Sequence, residues 1–352
     1  MSQEREQVTI NVERPTGPKI SHAPSLGGLE PYRRNTALAA QKTAAAAVAV
    51  IRHKITVTLA LTILATISTH IILSILLLQG AGFQVRTSSS YTGPGDINGT
   101  AHAFWSTRGV TSAFSGNVFR ICDQATGAVC ADATFASGVL TLPTLGGNAC
   151  GVITCVVSTI YDQSGSSKCS GPCDVTQATN SLRPVLTLNC QNSKVCITFD
   201  GGSVTQCLLS GTSATQAQAV SFSAVFNHTA LANRAMFALG NSVIFFGSAG
   251  ANEYFIANNS FFNFAATDNT NHALQALFNG AGGSVYLDGT ATTGQNLGSS
   301  GITAAAFGIG ANNGCASDAW SGNFFEVGLW AGDKSANNAS MNSNQHTGYW
   351  SF

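Results

Sequence analysis

Residues 273–289 read ALQALFNGAGGSVYLDG. Two short apolar runs, 273–278 and 284–287, are separated by Asn and Gly and closed by Asp288-Gly289, residue types that favour turns. In the second run Ser284, Val285, Tyr286 and Leu287 alternate polar and apolar, the period of a half-buried strand. Comparable runs recur at 118–121, 152–161, 185–188, 195–199, 219–226, 243–246, 254–264 and 324–330, separated by Gly, Asn and Ser. Many short strands with turn signals between them predict an all-β sandwich or jelly roll. Residues 335–350 read as a short C-terminal helix, and no repeat of about 20–50 residues is present.

Far upstream the chain changes character. From Ile55 to Leu78 it reads ITVTLALTILATISTHIILSILLL, 24 residues without a formal charge. As a helix this run is about 36 Å long at ~1.5 Å per residue, enough to cross a ~30 Å hydrocarbon core. A secretory signal is shorter and lies at the extreme N-terminus, so the run reads as an uncleaved signal anchor, a single transmembrane helix. Cleavage near Gly80-Ala81-Gly82 is the alternative. Arg33, Arg34, Lys42, Arg52 and Lys54 precede the run and only Arg86 follows it closely. Positive residues stay inside, which places the N-terminus in the cytoplasm and the C-terminal domain outside. The expected organisation is a disordered cytoplasmic tail (1–32), an Ala-rich juxtamembrane helix (33–54), the span (55–78), a Ser/Thr/Gly-rich linker (79–99) and the sandwich (100–352). His70 is the one ionisable group in the span and reads as a neutral hydrogen-bonding side chain.

All ten cysteines follow the span: Cys122, Cys130, Cys150, Cys155, Cys169, Cys173, Cys190, Cys196, Cys207 and Cys315. An even number confined to the exported side fits disulfides in an oxidising compartment. Proximity in sequence pairs Cys122–Cys130, Cys150–Cys155, Cys169–Cys173 and Cys190–Cys196, leaving Cys207–Cys315. A zinc site is the rival reading, disfavoured because the spacing lacks CxxC knuckles and nearby histidines. No metal and no cofactor is expected.

Charge divides the same way. Residues 1–54 hold eight Lys/Arg and four Asp/Glu, net +4, and the remainder is net −4. A large, mildly acidic exported part does not fit nucleic-acid binding. The expected partners are the membrane and a glycan, with a homo-oligomer compatible with the sequence.

The exported part holds twelve Asp and Glu, many beside Gly, Ser or Asn, where Asp stabilises turns. Glu326, within Phe324-Phe325-Glu326-Val327, reads as a buried, paired carboxylate. No GxSxG elbow, HExxH helix, P-loop or EF-hand loop is present. Trp105, Trp320, Trp330 and Trp350 divide between sugar-stacking and core roles. Asn98, Asn227, Asn258 and Asn338 head N-x-Ser/Thr sequons.

A resemblance becomes specific over residues 100–350. Ala101-His102-Ala103-Phe104-Trp105-Ser106-Thr107-Arg108, Ser112-Ala113-Phe114-Ser115-Gly116, Cys150 with Cys155, and Ile160-Tyr161-Asp162-Gln163-Ser164-Gly165 resemble the first half of the α-L-arabinofuranosidase B catalytic domain. Leu239-Gly240-Asn241-Ser242, Phe307-Gly308-Ile309-Gly310 and Gly322-Asn323-Phe324-Phe325-Glu326 resemble its second half. The resemblance implies a concanavalin-like β-sandwich. It places the family nucleophile, a Glu in Asp-x-Glu-Asn, at Ser260 within Ala257-Asn258-Asn259-Ser260-Phe261. It places the family acid/base, an Asp in Gly-Gly-Asp-Asn, at Asn312 within Gly310-Ala311-Asn312-Asn313. The family's adjacent cysteine pair is absent. An amide cannot donate a proton as a carboxylic acid does, and serine without a base is a poor anomeric nucleophile.

Three functions follow as expectations. The first is a membrane-anchored domain that binds a glycan without cleaving it, through Asn258, Asn259, Asn312, Asn313 and a stacking Trp320. The second is an active arabinofuranosidase in which Glu253 and Asp318 serve as displaced carboxylates. The third is a structural or adhesive surface module.

Overall fold

The computed structural model describes residues 91–352 except 167, 171, 203–204, 230–233, 240–241, 247–251, 258–259, 266, 268, 297–303 and 312. The run from Ile55 to Leu78, its flanking segments up to residue 90, and Asn258, Asn259 and Asn312 lie outside the described residues. Among the described residues no helix is long and apolar enough to cross a membrane.

The chain enters through α1 (Pro94–Asn98), β1 (Ala103–Ser106), β2 (Ser115–Asp123), β3 (Cys130–Ala136), β4 (Val139–Thr141), β5 (Cys155–Ile160) and β6 (Val175–Thr176). It continues through β7 (Val185–Gln191), β8 (Lys194–Asp200), β9 (Leu208–Thr212), β10 (Val220–His228), β11 (Arg234–Leu239), β12 (Ser242–Phe246), β13 (Asn252–Ala257) and β14 (Ser260–Ala265). Then follow β15 (Asn271–Phe278), β16 (Gly283–Leu287), β17 (Thr290–Gln295), β18 (Ala306–Ile309), β19 (Ser321–Ala331) and α2 (Asn338–Asn342). The expected C-terminal helix is present as α2, flanked by a 3-10 turn at Ser335–Asn337 and wide π-helical turns at Ser343–Trp350.

Residues 273–289 form strands as their pattern requires. β15 pairs with β16, Leu274 opposite Leu287. Asp288 and Gly289 both have positive φ, 48° and 90°, between the paired Leu287 and Thr290. That is the two-residue hairpin loop for which Asp-Gly is suited. The run 254–264, expected as one strand, is instead the hairpin β13–β14, with Ala257 opposite Ser260. In the sequence, the turn tendency of Asn258-Asn259 is obscured by the aromatic residues on both sides. Part of the expected linker is folded too. In α1, Asp96 Oδ2 accepts the Gly93 N–H at 2.8 Å, and Tyr91 packs on Phe135 and Tyr349.

All named strand pairs are antiparallel, and they trace two layers. One runs β17-β16-β15-β10-β19. The far edge of β19 is long enough for two partners, β8 along Ser321–Phe324 and β1 along Glu326–Leu329, with β7 beyond β8. The other runs β14-β13-β12-β11-β18-β9-β6-β5-β2-β3-β4. The layers join at one edge where Val156 of β5 pairs with Val185 of β7. Between them lies the apolar core. Trp105 of the first layer meets Phe307 of the second at 4.7 Å between ring centroids, and Phe222 meets Phe237 at 5.7 Å. All four tryptophans are wholly buried.

The outer face of the first layer is also covered. All nine residues of β10 are buried although its sequence alternates Ser with apolar residues. The C-terminal segment lies over it, with Gln345 bonded to Ser223, to Gln275 of β15 and to Glu326 of β19. Glu326 is fully buried and takes Arg108 Nε at 2.5 Å and Nη2 at 2.8 Å. Arg108 lies 4.5 Å from the Tyr349 ring centroid. Burial alone would lower the Arg108 pKa; the adjacent Glu326 outweighs it and raises it. Burial pushes Tyr349 up as well.

Five disulfides are present, and they are the five that sequence proximity pairs. No described cysteine is free, which sets the zinc alternative aside. Four close loops of 4 to 8 residues, whereas Cys207–Cys315 spans 108.

Two consequences can be measured by urea unfolding. Loop-closure entropy assigns about 4–5 kcal/mol to Cys207–Cys315 and about 2 kcal/mol to Cys169–Cys173, so Cys207→Ser with Cys315→Ser should lower stability about twice as far as Cys169→Ser with Cys173→Ser. Arg108→Met should cost about 3–5 kcal/mol by stranding the Glu326 carboxylate, and adding Glu326→Leu should restore most of that loss.

Candidate functional site

Three of the residues that the sequence singles out, Asn313, Asp318 and Trp320, lie in the loop that leads into β19, next to the end of β10. Gly322 allows these strands to meet there. At φ 148° it approaches β10 so closely that a Cβ would come within 2.0 Å of the Asn227 carbonyl oxygen. The loop from β18 to β19 is closed at its neck by the Trp320 N–H donating to the Gly310 carbonyl at 2.7 Å. Gly310, at φ 94°, has no room for a side chain because a Cβ would meet the Phe199 ring at 2.1 Å.

Within this loop Asn313 begins a 3-10 turn, Asn313–Cys315, and Cys315 is bonded to Cys207 just ahead of β9. Asp318 is half-buried with φ 55°, and Ser317 Oγ donates to its Oδ2 at 3.0 Å. Trp320 is not open to solvent. Its ring faces Phe226 at 6.1 Å and His228 at 5.9 Å, inside the core. Apolar neighbours on β10 recruit the indole inward, leaving no face for a sugar in this arrangement.

Ser260 and Glu253 are on the β13–β14 hairpin. Ser260 pairs with Ala257, while Glu253 pairs with Phe264. Glu253 is thus four residues along the strand from the partner of Ser260, about 13 Å at ~3.3 Å per residue. The two do not occupy one place.

Sequence reasoning missed a polar cluster beside this end. His272 opens β15, and its Nδ1 lies 2.6 Å from Asp288 Oδ2. Its Nε2 lies 2.9 Å from both Thr270 Oγ1 and the Thr267 carbonyl. These contacts tie the β14–β15 connection to the β16–β17 turn. Arg234 was missed as well. Its Nη1 donates to the Gly201 carbonyl at 2.7 Å and the Ala319 carbonyl at 2.6 Å. Neither residue stands in a sequence pattern; only the fold gathers their partners.

The Tyr161-Asp162-Gln163-Ser164 segment has a structural task. Asp162 Oδ1 accepts N–H groups from Phe104 at 2.9 Å and Ser164 at 3.0 Å, and Gln163 Nε2 donates to the Ser106 carbonyl at 3.1 Å. The segment staples β1 to the end of β5. Burial pushes the Asp162 carboxyl up, against the opposing pull of these hydrogen bonds. Among the described residues no three His, Cys, Asp or Glu side chains are grouped to hold a metal.

No family model and no curated protein matches the chain. Solved structures do. A mutant GH54 α-L-arabinofuranosidase soaked with 4-nitrophenyl α-L-arabinofuranoside is 17% identical, with a TM-score of 0.53, over 72% of this chain and 64% of that one. An arabinofuranosidase complexed with arabinofuranosyl-α-1,2-xylobiose is 18% identical, with a TM-score of 0.51, over 71% and 64%. A GH54 enzyme soaked with a cyclic sulfate inhibitor is 18% identical, with a TM-score of 0.50, over 72% and 64%. The chain therefore spans less than two thirds of the length of these enzymes. Two antiparallel layers around an aromatic core, matched across most of the described residues, give this chain the fold of the GH54 α-L-arabinofuranosidases, a concanavalin-like β-sandwich.

Proposed function

We propose that the sandwich is a membrane-anchored, extracytoplasmic domain that binds a glycan and does not hydrolyse it. The observation that carries this reading is the β13–β14 register. Ser260, which the family resemblance aligns with the nucleophile, faces Ala257 across the hairpin, and the hairpin's carboxylate, Glu253, is four positions away. Retaining hydrolysis needs two carboxyl groups about 5–5.5 Å apart. The aligned acid/base position is an amide, Asn312. What these positions retain is hydrogen-bonding capacity: Asn258, Asn259, Asn312 and Asn313 offer both donors and acceptors to sugar hydroxyls. With Trp320 in the core, recognition rests on polar groups rather than on a stacked indole. Five disulfides suit an oxidising compartment, and the apolar run from Ile55 to Leu78 supports the anchor.

The test is to incubate the full chain with 4-nitrophenyl α-L-arabinofuranoside and to follow release of nitrophenol and binding in parallel. Saturable binding without release is the expected result. Release that disappears in Glu253→Gln or Asp318→Asn would overturn the loss of catalysis. Silence in both channels, across a glycan array as well, would turn the reading toward a structural or adhesive module.

A further inference from the structure

The segment that covers the outer face of the first layer is lightly held. Within residues 338–352 only Met341, Gln345 and Trp350 are buried. Met341 joins Phe104 and Trp330 in one apolar cluster, and Trp350 joins Val225 and Phe325 in another. The rest is rich in Asn and Ser, which are poor helix formers, and Ser343–Trp350 winds in wide turns rather than as a regular helix. Docking also strands polar atoms. Arg108 Nη1, Gln275 Oε1, Asn342 Oδ1, His346 Nδ1 and Trp350 Nε1 are buried with no hydrogen-bond partner among the described residues. They belong to the segment or to side chains that it bonds, Arg108 through Asn344 and Gln275 through Gln345. Each has given up water without a replacement, and the Arg108–Glu326 pair is desolvated as well. Lifting the segment returns water to these groups.

A latch at the far end keeps it down. Asn192 and Ser193, at φ 48° and 57°, form the two-residue turn between the paired Gln191 and Lys194 at the tip of the β7–β8 hairpin. From that tip Gln191 Nε2 donates to the Ser351 carbonyl at 2.8 Å, and Asn192 Nδ2 donates to the Tyr349 carbonyl at 3.3 Å. Lys194 Nζ lies 4.5 Å from the Tyr349 ring centroid. The Cys190–Cys196 disulfide closes the same hairpin and lies in the apolar cluster of Trp350. The segment in turn holds the start of the sandwich. Asn344 Nδ2 donates to the Thr92 carbonyl at 2.7 Å, and the Tyr349 ring lies 5.7 Å from that of Tyr91. Just beyond, α1 is fixed separately, through Gly95 to Val110 and Asp96 to Ser112.

We propose that residues 338–352 are a clasp, which opens as a unit from the folded sandwich and is latched by the β7–β8 hairpin. Opening uncovers Arg108 and Glu326 and loosens Tyr91 and Thr92, while α1 stays bound. The first fixed point of the chain as it enters the sandwich then moves from Tyr91 to α1. This device is independent of the glycan-binding reading.

The experiment is amide exchange read by mass spectrometry in the full chain, with chymotrypsin cleavage alongside. In the unsubstituted chain the amides of 341–352 should share one protection level, about tenfold or more below that of β10 and β15, and low urea should hardly alter it. Gln191→Ala with Asn192→Gly removes the latch bonds, and glycine accepts the positive φ at position 192. This variant should speed exchange over 341–352 about tenfold and leave β2, β3 and β5 unchanged. Cleavage after Tyr349 and after Tyr91 should rise together. Exchange of 341–352 that matches β10 in level and urea dependence would overturn the proposal, since the segment would then leave only on global unfolding. A latch variant with unaltered exchange would overturn it too. Cleavage that rises after Tyr349 and not after Tyr91 would defeat the coupling to the entry. Should the variant not fold, the level and urea dependence in the unsubstituted chain decide.

Discussion

A guanidinium and a carboxylate with no access to water must neutralise each other where they stand. Arg108 and Glu326 do so at 2.5 Å, each with a fully buried side chain, and this requirement organises the outer half of the molecule. Glu326 is in the middle of the longest strand, whose edge is already occupied by β1 and β8. Its remaining acceptor capacity is filled by Gln345 from the C-terminal segment. Gln345 in turn satisfies Ser223 and Gln275 on the two neighbouring strands. A single buried charge pair therefore specifies which segment covers the sheet and in what register. An apolar pair could give equal or greater stability, but it would not distinguish one docking position of the C-terminal turns from another.

The same physics accounts for the other cross-links. Four disulfides close short loops, and each restricts chain entropy less than the fifth does. The fifth, Cys207–Cys315, joins the approach to β9 with the loop between β18 and β19, elements that already share a ladder. Its contribution to a paired sheet is less obvious than its contribution to the loop, whose two ends are also closed by the Gly310–Trp320 and Ala235–Asp318 backbone bonds. The loop is thus held from several sides close to where the family resemblance aligns the acid/base position. A preorganised loop suits recognition, because binding benefits from reduced ordering entropy.

The sequence made the fold class legible because its strands alternate and its turns use Asp-Gly, Asn and Gly at places that need positive φ; Asp288-Gly289 is the clearest case. The cysteine pairs were legible for a simpler reason: close neighbours have few geometries open to them, and the remaining two had only each other. The hairpin within 254–264 was obscured because Phe and Tyr continue through both strands, and two asparagines are a weak break in an aromatic run. Serine alternates with apolar residues at the start of β10, yet Ser221 and Ser223 are satisfied by Gly332 and Gln345 under a covering segment. Hydrophobic period reports which face is polar; it does not report what lies against that face. Glu326 was read as paired from its aromatic surroundings alone, whereas its partner, 218 residues away in sequence, is visible only once the strands are aligned. His272 and Arg234 were hidden for the same reason.

Distance along a strand then separates the two functional alternatives more sharply than residue identity does. A glycosidase can change which acidic residue it uses, but the two carboxyl groups must still converge on one anomeric carbon. A hairpin cannot slide by four residues without moving its turn, and an odd slip would send every side chain to the opposite face. Glu253 is paired with Phe264 next to the open end of the hairpin, and Ser260 adjoins the turn. For Glu253 to replace a nucleophile at Ser260, the hairpin would have to be re-registered or the sugar carried about 13 Å along the strand. The proposed glycan-binding reading requires neither change.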